Sequence, residues 1–374
     1  MPWLLVTSST SGESREPLRR VHVPEQPRDL EAEIEERLLG RRATMGRREI
    51  SREASVSVQS ARKLWHALGF QIVDDEEVMF TEADLGALIR VSDLVRDNDL
   101  DEDLVLSMAR AFARTSDRLA VWQTQLVAEY LTPADQEAEI GEKDARAVPE
   151  RSVAEAAASQ LADLVDQLEP LMVYVWRRHL TSAITRMLED ARDTDHDPSA
   201  PLRVVGFADL VSFTTLVRRM TERQLGTLVQ RFEELASDVV TTHGGRIIKT
   251  VGDEVLFVHA EADAAAAIGL DLVDSMAEDP LLPDVRVGMA SGKVISRLGD
   301  VFGTTVNRAS RLTAVTPPGR VFVDDEVARR LASLSGFSMV EQRPRHLRGI
   351  GEVRPFELAR STGARRARPW DHHA

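Results

Sequence analysis

The chain of 374 residues contains no cysteine. That absence removes a disulfide framework, a thiolate metal site and a thiol nucleophile, and it permits a reducing compartment. Long apolar runs are also missing. The most apolar stretch, Leu171 to Trp176, falls far short of the roughly 20 residues a bilayer span needs. The start, Met1-Pro2-Trp3-Leu4-Leu5-Val6, lacks the basic flank and the apolar stretch of a signal peptide, so the expected location is cytoplasmic. No Gly-rich run ends in Lys-Ser/Thr, which disfavours a P-loop ATPase or kinase. Positive charge is scarce too: 47 Lys and Arg against 61 Asp and Glu give a formal net charge of −14. An acidic balance argues against a general nucleic-acid binder, which needs clustered cations, but it leaves room for phosphate ligands held by local charges or metal ions.

What is present is an ordinary globular balance, 43% hydrophobic and 29% charged, with a length that predicts two domains. Residues 1–28 are polar and aperiodic and read as a flexible segment. A helical region over 29–192 follows. Within it, Leu30, Ile34, Leu38 and Leu39 have helical spacing, and residues 50–70 read as a helix-turn-helix that resembles the winged-helix domains of MerR-type regulators. DNA binding and a plain helical scaffold both fit that segment; few base-reading side chains and the acidic chain favour the scaffold. Thr81 and Asp84 are placed to cap a further helix. Residues 100–131 and 152–192 read as helices separated by a charged connector, and Pro170 is expected to break or kink the second. Val153, Ala157, Leu161, Leu164, Val165 and Leu168, continued by Leu171, Val175, Leu180, Ile184, Met187 and Leu188, form an apolar stripe that needs cover. Polar residues 193–201, closed by Pro198 and Pro201, mark the expected linker, and 361–374 a disordered tail.

From Leu202 the pattern changes. A strand at 203–210, a helix at 222–242 closed by His243-Gly244-Gly245, strands at 246–250 and 254–259 around the turn Val251-Gly252-Asp253, a helix at 262–277 and a strand at 285–290 follow in turn. The order βαββαβ predicts a ferredoxin-like α+β domain, an antiparallel sheet with helices on one face. Asp209 ends the first strand and Asp253 lies in the hairpin, so both carboxylates can face one spot. Taken singly, each is more often a turn former; together they suit a hard divalent cation completed by substrate phosphates. Leu210 to Thr214, at a helix start, offers backbone N–H groups to a phosphate.

Three blocks carry a resemblance. Phe207-Ala208-Asp209-Leu210-Val211-Ser212-Phe213-Thr214, Lys249-Thr250-Val251-Gly252-Asp253-Glu254 and Asp300-Val301-Phe302-Gly303-Thr304-Thr305-Val306-Asn307-Arg308-Ala309-Ser310-Arg311 resemble, in order and spacing, the signature blocks of class III nucleotidyl cyclases, over 202–360. The resemblance implies a catalytic domain making cyclic AMP and pyrophosphate from ATP. It implies metal binding by Asp209 and Asp253, with two Mg²⁺ or Mn²⁺ ions per site. Lys249 would donate to adenine N1 and Asp300 accept from the 6-amino group, which favours ATP over GTP. Asn307 would orient the ribose and Arg311 stabilise charge at the α-phosphate; four apart, they share a helix face. Arg348 falls where the family has a phosphate-gripping Lys, a change of geometry at constant charge. Arg297 is a further substrate contact, with Phe213 and Thr214. The short stretch between Gly292 and Asp300 resembles the short-arm bacterial subtype. Because one chain carries the whole set, the resemblance implies a homodimer with two equivalent sites. The N-terminal region resembles, more distantly, the autoinhibitory helical region of pH-responsive actinobacterial cyclases, and His179 and His196 are the candidate titrating groups. The rivals are a degenerate nucleotide-sensing domain, a guanylate cyclase and a transcription regulator.

Overall fold

The structure, a computed structural model, describes residues 30–70, 78–97, 100–132, 150–192, 201–297 and 299–361, apart from the side chains of 222 and 223. Residues 1–28, nearly all of the expected connector and linker, the residues from 362 and His196 lie outside the described residues. Cα packing divides the chain into two units, one holding residues up to Thr132 with 149–168, the other holding 133–148 with residues from Glu169 onward.

The first unit is helical: α1 (Leu30–Leu39), α2 (Arg47–Glu53), α3 (Val58–Ala67), α4 (Glu82–Asp97) and α5 (Glu102–Leu131), with a small pair of strands, β1 (Met45–Gly46) and β2 (Val78–Phe80). Its core joins Ile50, Ala61, Leu64, Trp65, Phe80, Leu88 and Leu106, and Trp65 stacks on Phe80 at 5.1 Å between centroids. Local chemistry sets the helix starts. Ser57 accepts from Ser60 N–H at 3.0 Å, and Asp84 accepts from Thr81 N–H at 2.7 Å while Asp84 N–H donates to Thr81 Oγ1 at 3.3 Å. The helix-turn-helix forms, with Ser55 in the left-handed region at its turn. Within it Arg52 pairs with Glu49 and Lys63 with Glu102, and just before it Arg41 pairs with Glu82 and Arg42 with Glu36.

A 42-residue helix, α6 (Arg151–Arg192), crosses from the first unit into the second. Of the break or kink expected at Pro170, the break does not occur: the missing amide forfeits one backbone hydrogen bond, and the rest of the ladder continues. The apolar stripe is also only partly covered. Val153 and Ala157 pack with Ala128, whereas Leu171, Val175, Leu180, Ile184, Met187 and Leu188 are all more than two-fifths exposed in the single chain.

In the second unit a seven-stranded sheet has the order β10-β13-β9-β6-β3-β5-β4, formed by β3 (Leu202–Leu210), β4 (Arg246–Val251), β5 (Glu254–His259), β6 (Val285–Lys293), β9 (Val321–Val323), β10 (Phe337–Glu341) and β13 (Phe356–Arg360). The run β6-β3-β5-β4 is the expected ferredoxin-like antiparallel core, and β9 adds to it in parallel with β6. Two expectations need correction here: the sheet is mixed, and helices cover both faces. α8 (Glu222–Thr242) and α9 (Ala262–Glu278) pack on one face through Phe232, Val240, Ile268 and Leu272, with α11 (Asp325–Leu331). On the other lies α10 (Thr304–Val315), whose Ala309 and Leu312 meet Val205, Phe207, Leu256 and Ala290. The physical reason is in β3 itself. Val204 to Ala208 is buried on alternate residues of both faces, so neither face tolerates water. The hairpins β7 (Ile295–Arg297) with β8 (Asp300–Phe302), and β11 (Arg345–Leu347) with β12 (Gly351–Val353), and the short helix α7 (Phe213–Val217) complete the unit.

Candidate active site

Strand register assembles the site on the α10 face of the sheet. Asp209, the penultimate residue of β3, stands opposite Arg286 of β6 on one side and Glu254 of β5 on the other. Leu210 N–H donates to the carbonyl of Asp253 at 3.0 Å, which draws the β4–β5 turn against the end of β3. Gly252 takes φ 62° in that turn, a conformation the missing Cβ permits. Asp209 and Asp253, 44 positions apart in sequence, thus become neighbours.

Their electrostatics are unbalanced. Arg286 Nε and Nη2 both donate to Asp209 Oδ2, at 2.7 and 2.5 Å. Burial, reinforced by the charge of Asp209, holds the Asp253 carboxyl above the usual range against its own backbone N–H and Arg286. Burial, then the charges of Asp209 and Asp253, raises Glu254 likewise. Three carboxylates face one guanidinium, with the Lys249 ammonium, itself paired with Asp300, as the further cation near Glu254, so the site is short of positive charge. Among the described residues no group of three or more His, Asp or Glu is arranged to hold a metal ion. Two aspartates with such a deficit fit a hard divalent cation whose remaining ligands are water and phosphate oxygens.

Lys249 lies on the same sheet face, paired in register with Leu256. Its Nζ donates to Asp300 Oδ2 at 2.7 Å, joining β4 to β8 across 51 residues. The Lys249 hydrogen bond holds Asp300 below the ordinary carboxylate range. Both side chains keep partial exposure, 42% and 32%, so the pair is reachable by a ligand.

Asn307 and Arg311 project from the outer side of α10, and both are exposed. The helix sits close to β6 because that strand presents glycines to it: a Cβ on Gly288 would lie 2.2 Å from Thr313 N, and one on Gly292 2.6 Å from Thr305 Oγ1. Arg297 is exposed at the end of β7, opposite Asp300 in register, and Arg348 is exposed in the turn between β11 and β12.

The segment after Asp209 offers less than its sequence promised. Leu210 and Val211 spend their amides on the carbonyls of Asp253 and Asp284. Phe213 packs against the core, and Thr214 is exposed in the first turn of α7, whose leading N–H groups have no acceptor within the helix. His179 is exposed on α6. Arg286 and Glu254 were missed in the sequence, although a lone cation in the apolar strand Val285-Arg286-Val287 was a signal.

Residues 201–360 match the family model described as the adenylate and guanylate cyclase catalytic domain. A Glutamicibacter nicotianae protein named adenylate cyclase is 39% identical to this chain, covering 97% of it and 90% of that protein. Another of that name, from Streptomyces coelicolor, is 38% identical over 84% of this chain and 85% of its own length. A Mycobacterium tuberculosis protein named pH-sensitive adenylate cyclase is 32% identical over 84% of this chain and 77% of its own. With these relatives, 32–39% identical, aligned over 84–97% of its length, the chain belongs to the class III adenylate cyclase family.

Proposed function

We propose that the protein converts ATP to 3′,5′-cyclic AMP and pyrophosphate at sites formed between two copies of the chain. The observation that carries the substrate choice is the Lys249–Asp300 pair, 2.7 Å apart and accessible. An ammonium donor beside a carboxylate acceptor matches adenine, whose N1 accepts and whose 6-amino group donates. Guanine presents the reverse pattern and would leave both groups unsatisfied.

Asp209 and Asp253 would hold two divalent cations, Mg²⁺ or Mn²⁺, which when bound supply Lewis acidity at the attacking and leaving oxygens. The protein's own residues do the rest. Asn307 orients the ribose so that its 3′-oxygen lies in line with the α-phosphorus. A bond forms from O3′ to the α-phosphorus as the bond to the bridging oxygen of pyrophosphate breaks, and the hydroxyl proton passes to Asp209, to solvent or to the substrate's own phosphates. Arg311 donates to the α-phosphate oxygens as negative charge builds there, and Arg348 and Arg297 meet the departing phosphates. In the family the metal aspartates face the Lys, Asp, Asn and Arg set of the partner. Outward-facing Asn307 and Arg311, and the uncovered stripe of α6 beyond Pro170, support the same head-to-tail homodimer here.

The helical region is proposed to regulate the site, with pH as the signal. Support comes from the last turns of α6, where Asp190 accepts from Arg203 of β3 at 2.5 and 2.6 Å, on the strand that carries Asp209 near its other end. Beside them burial, then the charges of Arg186 and Arg203, lower the Arg246 guanidinium from its usual value.

Incubation with ATP or GTP and either cation, followed by separation of the cyclic product, tests the assignment. Cyclic AMP is expected from ATP, with loss of product in Asp209→Ala; full activity in that variant would sink the metal assignment. Activity–pH profiles of the full chain and its His179→Gln and Asp190→Asn variants test regulation, and three curves of one shape would remove it.

A further inference from the structure

Asp324, between β9 and α11, is 4% exposed and belongs to none of the signature blocks. Its carboxylate is fully engaged. Oδ1 accepts from Val327 N–H at 3.0 Å, capping α11, both oxygens accept from Ser291 N–H at 3.2 and 3.3 Å, and Oδ2 accepts from Arg308 Nη1 at 3.2 Å. Burial raises its pKa against the pull of these donors, so its ionised form is held at a cost. Asn or Ser would cap the helix about as well without that cost. What only a carboxylate supplies is the buried ion pair with Arg308, whose Nη1 has its other acidic neighbour, the exposed Asp325, farther off at 3.9 Å.

Arg308 follows Asn307 directly and precedes Arg311 by three. At 100° per residue it lies roughly a quarter-turn from the buried stripe Thr305, Ala309 and Leu312, on the flank of α10. Most other attachments of this helix are on its inner side; apart from these, the Ala314 carbonyl near its C-terminal end accepts from Arg286 Nη1 at a long 3.5 Å, and Leu347 of the β11–β12 hairpin joins the same apolar cluster. Thr305 Oγ1 donates to the Lys293 carbonyl at 2.9 Å, and Thr313 abuts Gly288. Inner contacts fix how deeply the helix sits, but they resist rotation about its axis poorly, because they lie close to the line of contact. A lateral strut from Arg308 to the buried Asp324 resists it well. Ten degrees of roll moves a side-chain tip roughly 6 Å from the axis by about 1 Å, beyond the tolerance of a catalytic geometry.

We propose that Arg308 and Asp324 form a positioning pair that sets the roll of α10 and so aims Asn307 and Arg311 at the ribose and α-phosphate of the nucleotide. The inference rests on the roles given to Asn307 and Arg311 above. It separates Arg308 from its two neighbours on the same helix: they touch the substrate, and it acts through them.

The test is a double-mutant cycle in the full-length protein, with cyclic AMP formation from ATP and Mg²⁺ as the readout. Arg308→Gln keeps much of the side chain's length and removes the ion pair. Its kcat is expected to fall about tenfold, with KM for ATP within about twofold, because the misaimed groups act mainly in the transition state. In an Arg311→Lys background the same substitution should cost little further. Asp324→Asn should reproduce the loss in kcat with α11 still capped; should that variant fail to fold, Arg308→Gln, on a part-exposed residue, carries the test alone. An unchanged kcat in Arg308→Gln, or the same fold-loss in both backgrounds, overturns the positioning pair. A wild-type kcat in Arg311→Lys instead overturns the role of Arg311 on which the pair depends.

Discussion

Replacing Gly288 by alanine should displace the helix that carries Asn307 and Arg311. The new methyl carbon would lie 2.2 Å from Thr313 N, 2.5 Å from its Oγ1 and 2.7 Å from its Cα. Non-bonded heavy atoms rest at about 3.5–4.0 Å, so more than about 1 Å of separation has to be found. Two of the three contacts are backbone atoms, which cannot rotate away. The strand cannot yield either, since Gly288 is in register with Phe207 of β3 and Phe322 of β9 in the middle of the sheet. The helix must therefore retreat. Overpacking of this kind costs about 1–3 kcal/mol, or several degrees in Tm by circular dichroism. A misplacement near 1 Å costs up to about 10²-fold in turnover, read as cyclic AMP formed at saturating ATP. Gly292→Ala is the internal control. Its methyl would meet only Thr305 Oγ1, at 2.6 Å, a side-chain atom. Adding Thr305→Ala should recover most of that activity, at the expense of the bond to Lys293 worth about 1 kcal/mol. Thr313→Ala should not rescue Gly288→Ala, because the nearest obstacle is an amide nitrogen. Wild-type turnover in Gly288→Ala, or equal rescue at both positions, would refute backbone contact as the determinant of helix position.

Three further outcomes are expected. Asp253→Asn should abolish turnover yet stabilise the protein without added cation. Burial raises the pKa of Asp253, so its ionised form is a cost present above that pKa and relieved as pH falls through it, and the stability gap between variant and wild type should narrow on acidification. Millimolar Mg²⁺ or Mn²⁺ should raise the wild-type Tm more than that of the variant, and equal rises would count against Asp253 as a ligand. Lys249→Glu replaces a 2.7 Å ion pair by two like charges and should reduce ATP turnover at least about tenfold; parallel assays with ATP and GTP show whether selectivity falls with it. Asp84→Ala removes the capping partner of Thr81 and should destabilise the protein by about 1 kcal/mol in urea titration, with kcat unchanged.

The features legible in the sequence are those set by local chemistry. Gly252 between two apolar runs announced the β4–β5 turn, Thr81 and Asp84 announced a helix start, and the spacing of Asn307 and Arg311 announced a shared face, because each depends on residues a few positions apart. Lys249 and Asp300 were found by resemblance alone, since nothing local says that residues 51 positions apart will meet. The helical stripe past Pro170 was read correctly as apolar, but apolarity does not name its cover, and within this chain the stripe stays exposed.

What the sequence withheld is mostly register. Arg286 acquires its partner because β3 and β6 pair so that Asp209 falls opposite it, 77 positions away; a slip of one residue would send its side chain to the other face. The second covered face of the sheet has the same origin. Val204 to Ala208 is apolar at every position, a pattern that fits one buried face with incidental apolar residues outside as well as two buried faces. Only the crossover from β6 to β9, which runs in parallel and so needs a covering helix, decides between them. That crossover contains both Asn307 and Arg311, and it starts from a strand whose Gly288 and Gly292 let the helix come close. The parallel pair is therefore what adds the helix bearing Asn307 and Arg311 to a ferredoxin-like sheet that already carries Asp209, Asp253 and Lys249, so that one chain holds the whole residue set.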